Sequence, residues 1–218
     1  GWLELDLPED WQKSDALRLT ATGPHGRDLW TWVWVTGTAS QQRAAIVEPG
    51  EGAAVTAGEK DGKIVLAADG LEIAFDKATG RLVQVTRNGR EVSFGNGPVL
   101  VTGEQKFESI RQFADGDKRG VEVRYSGDMK SATWTLMPGG WLKLDYHYHL
   151  TGEVPFMGIS FDYPESKVNA MTWLGRGPFR VWKNRLKGGT WDVWHKEYNQ
   201  TATGYPGSKD PYDYPEFK

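Results

Sequence analysis

"LEIAFDKATGRLVQVTRNGREVSF", residues 71–94, decides the fold class. Leu71, Ile73 and Phe75 alternate with other residues, "DKATG" supplies turn formers, and Leu82, Val83 and Val85 carry the chain back. A side-chain period of two is the signature of a half-buried strand. Asn88-Gly89 then offers the pair of positive-φ residues that a tight hairpin requires.

The same grammar extends outward. "DLWTWVWVT" (28–36) sets Leu29, Thr31, Val33 and Val35 on one face and Trp30, Trp32 and Trp34 on the other. "VEVRYSGDMKSATWTLMPGGWLKLDYHYHL" (121–150) reads as three further alternating runs, broken at Gly127 and at Pro138, Gly139 and Gly140. No window of a dozen residues sustains a helical period. The sequence therefore predicts an all-β protein built as a large antiparallel β-sandwich.

Bulk properties narrow the function. Of the 218 residues, 39% are hydrophobic and 25% charged, the balance of a soluble globular protein rather than a disordered chain. No apolar run reaches the roughly 20 residues that cross a bilayer. A net charge of -3 supplies no basic excess for nucleic acid. With no cysteine, disulfides, thiolate nucleophiles and cysteine zinc sites are excluded. Gly1 and the following "WLELDLPEDW" lack the basic and apolar regions of a signal peptide. No cofactor motif is found, so none is expected.

Residues 38–63, "TASQQRAAIVEPGEGAAVTAGEKDGK", are small, polar and glycine-rich, as in a linker or crossover. Residues 1–37 have room for about three strands, too few for a core of their own, and read as the end of an immunoglobulin-like domain. Residues 64–218 form the main β domain. Its last stretch, "TGYPGSKDPYDYPEFK" (203–218), has no closing strand, so both ends read as truncated.

One stretch carries a family resemblance. "WLKLDYHYHLTGEVPFMGISFDYPESKVNAMTWLGRGPFRVWKNRLKGGTWDVW" (141–194) contains Pro155, Gly158 and Ile159, then Trp173, Gly175, Gly177, Pro178, Trp182, Asn184 and Arg185. In that order and spacing it resembles the C-terminal β domain of glycoside hydrolase family 2 β-galactosidases, over most of residues 64–204. The resemblance implies a supersandwich of the galactose-mutarotase-like type, appended to a β/α barrel whose two glutamates do the chemistry. No carboxylate here matches those glutamates. Trp182 and Asn184 stand where many relatives have Tyr and Asp, which removes a charged partner for Arg185. The implied partners are the barrel and neighbouring β domains of the same polypeptide, with a galactoside or glycan as possible ligand. The implied setting is the bacterial periplasm or cytoplasm.

Candidate sites follow from chemistry. Trp173 and Trp182 could stack on sugar rings while Arg176, Lys183, Asn184 and Arg185 supply polar contacts. The architectural alternative, a Gly-Pro corner in which Gly175 and Gly177 permit a bend, is preferred. Trp30, Trp32 and Trp34 would span about 13 Å on a strand, comparable with two or three sugar rings. Packing against an adjoining domain is the preferred reading of that stripe. His147 and His149 share a strand face with Asp145 and could hold a metal or act as acid and base on a sugar. With no third ligand evident, a solvated or interdomain face is preferred. Trp191, Trp194 and Tyr198 fit either one helical face or a strand and loop.

These readings lead to a non-catalytic accessory domain of a β-galactosidase-type enzyme. The alternatives are an autonomous carbohydrate-binding module and a mutarotase-like epimerase.

Overall fold

The structure, a computed structural model, describes residues 2–46, 52–178 and 189–198. In chain order it contains β1 (Ala16–Thr22), β2 (Asp28–Val35), α1 (Ala39–Ile46), β3 (Thr56–Lys60), β4 (Lys63–Ala68), β5 (Leu71–Asp76), β6 (Leu82–Arg87) and β7 (Arg90–Glu91). There follow β8 (Gly95–Leu100), β9 (Gln105–Asp115), β10 (Lys118–Gly127), β11 (Met129–Leu136), β12 (Leu142–Tyr148), β13 (Ile159–Asp162), β14 (Ala170–Pro178) and β15 (Gly189–Glu197). The all-β antiparallel expectation holds.

The chain divides into two compact units. One is Val47–Glu165, where a sheet ordered β12-β11-β10-β9 and a seven-stranded sheet, β13-β8-β6-β5-β4-β3 with β7 on β6, bury a shared core. Ile64 and Leu66 of β4, Ile73 and Phe75 of β5 and Leu82 of β6 meet Val121, Trp134 and Leu136 of the other sheet. Each such side chain contributes about 1.5–3 kcal/mol on leaving water. A second cluster joins Leu100, Val123, Tyr125, Met129 and Ala132.

Within this unit the turns follow their sequence. Asn88 and Gly89 have φ of 51° and 73°, as the β6–β7 hairpin requires. Asp61-Gly62 and Asp69-Gly70 adopt the same positive-φ pairs between β3 and β4 and between β4 and β5. In "DKATG" the Asp76 carboxylate accepts the backbone N–H groups of Ala78 and Thr79, at 2.9 and 2.8 Å, and the Thr79 hydroxyl at 2.9 Å. Pairing shifts register between Ala74 and Phe75, which lets Leu82 and Val85 both face the core despite their odd spacing.

The other unit holds the described parts of Gly1–Ile46 and Ser166–Lys218. It contains two hairpins, β1–β2 and β14–β15. β14 and β15 group with the N-terminal hairpin in this unit. The stretch read as linker or crossover also has structure, namely α1 and β3. α1 begins with a capping box. Thr38 N–H donates to Gln41 Oε1 at 2.9 Å, and Gln41 N–H reaches Thr38 Oγ1 at 3.3 Å.

Candidate functional site

The tryptophan stripe lies on the β1–β2 hairpin. Antiparallel register sets Trp30, Trp32 and Trp34 opposite Ala21, Leu19 and Leu17, so all six share one face. The three indoles are 37, 42 and 49% exposed, enough to offer a continuous apolar surface to a partner. On the reverse face, Thr20 and Thr31 share a hydroxyl hydrogen bond at 3.0 Å, and Arg18 reaches the Asp192 carboxylate of β15 at 2.7 Å.

β14 includes the Gly-x-Gly-Pro segment as paired strand up to Pro178, with Gly175 opposite Asp192, Gly177 opposite Thr190 and Pro178 opposite Gly189. Gly177 serves another need, the close approach of indoles. A Cβ on Gly177 would lie 2.6 Å from Trp194 Cδ1 and 2.9 Å from Trp173 Cζ2. The Trp173 indole N–H donates to the Arg176 carbonyl at 3.2 Å, and that of Trp194 to the Gly175 carbonyl at 3.1 Å. Trp173 is thus bound into its own hairpin, whereas the Arg176 side chain is exposed. Trp182, Lys183, Asn184 and Arg185 lie outside the described residues. Trp191 and Trp194 sit on strand β15, where a spacing of three puts them on opposite faces rather than one.

Asp145 and His147 are exposed on β12, with Asp145 paired to Lys143 at 2.7 Å. His149 follows the strand, and its backbone N–H donates to the Asp128 carbonyl at 2.9 Å. Among the described residues no three His, Cys, Asp or Glu side chains are arranged to hold a metal ion. Tyr146 and Tyr148 stack with centroids 6.1 Å apart.

Two arrangements escaped the sequence reading. On the exposed face of β14–β15, Thr172 Oγ1 meets His195 Nδ1 at 2.9 Å while His195 Nε2 lies 3.4 Å from the Glu197 carboxylate. Thr172 and His195 are direct cross-strand partners, and such pairs stabilise a sheet without further chemistry. The second is a cleft of about 770 Å³ at the open end of the β1–β2 hairpin, lined in part by Trp11, Asp15, Trp34, Gln41 and Gln42. Its signal in the sequence was the Thr38-x-x-Gln41 capping box, which starts a helix beside the hairpin.

Titration shifts in the sandwich follow turn and core roles. Lys77 at 2.6 Å holds the Glu59 carboxyl below its ordinary range. Thr79 does the same to Asp76, chiefly through its hydroxyl. Burial pushes the Tyr125 phenol up, more than the nearby Gln105 and Arg81 pull it down.

No helix among the described residues is long and apolar enough to cross a membrane. No family model matches the chain, and no curated protein matches it.

Proposed function

We propose that this chain is a non-catalytic accessory portion of a β-galactosidase-type glycoside hydrolase, supporting the catalytic barrel and helping to shape its substrate mouth. The observation that carries the reading is the apolar face of Trp30, Trp32 and Trp34 beside Leu17 and Leu19, half open to water. Contiguous exposed apolar faces of this kind mark interaction surfaces. The ordered motif from Pro155 to Pro178 and the antiparallel sandwich of Val47–Glu165 support the same reading. Retaining hydrolysis needs two carboxylates about 5 Å apart, a role left to the barrel. The test is an assay of the purified chain on nitrophenyl β-galactoside. No turnover above buffer is expected; turnover abolished by His147→Ala or His149→Ala would place a catalytic centre on this chain instead.

A second reading, an autonomous carbohydrate-binding module, is favoured by the exposure of the same three indoles. Titration of galactosides and of plant or mucin glycans against tryptophan fluorescence separates the two. Saturable binding lost in Trp32→Ala would place sugar, rather than protein, on the stripe.

A further inference from the structure

We propose that the cleft at the open end of the β1–β2 hairpin binds a single neutral pyranose ring, between the indoles of Trp11 and Trp34. Its volume, about 770 Å³, falls within the range of small-molecule sites. Three separate parts of the chain build it. A 3-10 turn, Trp11–Lys13, is closed by Lys13 N–H on the Asp10 carbonyl at 2.8 Å and Ser14 N–H on the Trp11 carbonyl at 3.1 Å, and presents the first indole. The end of β2 presents the second, Trp34, with 49% of its surface open. The start of α1 adds Gln41 and Gln42.

The polar groups suit sugar hydroxyls. The Asp15 backbone carbonyl is held by the Thr36 N–H at 3.2 Å and more loosely by Gln42 Nε2 at 3.4 Å, which fixes the residue at the rim. Its carboxylate can accept two hydroxyl protons at once. Gln41 Oε1 is occupied by the Thr38 backbone N–H and hydroxyl, both at 2.9 Å, so its NH₂ remains as a donor. Among the described residues the Gln42 amide is tethered only by its long contact to Asp15, and it can reorient toward a ligand. A carboxylate, amide donors and two indole faces together match a ring with C–H faces and a rim of hydroxyls.

Other ligand classes fit less well. Lys13 is the single cation among the described lining residues, too little for a phosphate-bearing ligand. The amides and carboxylate would lose water without compensation against an acyl chain.

The inference does not depend on the accessory-domain reading, because the described lining of the cleft lies within one compact unit and includes neither Trp30 nor Trp32. The full chain is titrated with methyl β-galactoside, methyl β-glucoside and methyl α-mannoside, following indole N–H resonances by heteronuclear NMR. Saturable shifts confined to Trp11 and Trp34, with a millimolar dissociation constant for at least one probe, are expected. Trp34→Ala and Asp15→Asn should each weaken binding about tenfold or more, and Trp32→Ala should leave it unchanged. Asp15→Asn keeps the side-chain shape, so its loss of binding would not reflect unfolding, which a thermal melt checks. Absence of saturable shifts for all three probes would overturn the proposal. Binding abolished by Trp32→Ala yet indifferent to Asp15→Asn would also overturn it, assigning the sugar to the stripe.

Discussion

Trp194 lies over Gly177 so closely that a β-carbon there would sit 2.6 Å from the indole Cδ1. The glycine is demanded by its neighbours across the hairpin, with Trp173 closing in from the same face. Gly177→Ala should therefore cost about 1–3 kcal/mol, the usual penalty for overpacking. Chemical denaturation read by tryptophan fluorescence measures it. A neutral outcome would mean that the two indoles can move aside.

The Asp76 carboxylate organises the β5–β6 turn through two backbone N–H groups and the Thr79 hydroxyl. Its site is open to water, so Asp76→Ala should cost about 0.5–1 kcal/mol at neutral pH. The native carboxyl titrates below its ordinary range. Its stabilising effect is thus present above the unfolded-state value of about 3.9 and fades as pH falls through the native one. Denaturation curves of the two proteins, compared from pH 7 downward, should converge below about pH 4.

Tyr125 points a hydroxyl into the second core cluster, where it has no hydrogen-bond partner among the described residues. The adjacent Gln105 amide accepts from Leu100 N–H at 2.7 Å and donates to the Pro98 carbonyl at 2.9 Å. Tyr125→Phe should be neutral or stabilising by up to about 1 kcal/mol. Because burial raises the native phenol above its unfolded value of about 10, wild-type stability should fall as pH climbs past that value. The Phe variant should lose less stability over the same alkaline range, as parallel melts would show.

Arg18 and Asp192 join β1 to β15 at 2.7 Å, with the arginine side chain 58% exposed. Arg18→Ala should cost less than about 1 kcal/mol. The cost should shrink further in molar salt, where the Debye length is about 3 Å. A cost that salt leaves unchanged would point to packing of the arginine stem rather than charge.

The sequence made the sandwich legible wherever one face of a strand is buried, as in β5, β10 and β11. β3 escaped because Thr56–Lys60 is exposed throughout, so it carries no alternation and is held by its ladder to β4. The Asp61-Gly62 and Asp69-Gly70 pairs were nonetheless readable hairpin signals of the same kind as Asn88-Gly89. The Gly175-Arg176-Gly177-Pro178 segment misled because glycine has two uses, bending the chain and admitting bulky neighbours. Only the cross-strand register with Trp194 tells them apart. The cleft left only the capping box as a local signal, for a different reason. Residues 11–15, 34–37 and 41–42 meet there only once the β1–β2 hairpin has closed.

The central claim is that this chain presents surfaces to other components and does no sugar chemistry itself. The most direct measurement is a proton NMR time course of the purified chain with a β-galactoside and with freshly dissolved α-galactose, which follows glycosidic cleavage and anomer interconversion together. The account predicts spectra that evolve no faster than in buffer. Saturable acceleration of either process that disappears in His147→Ala would contradict it.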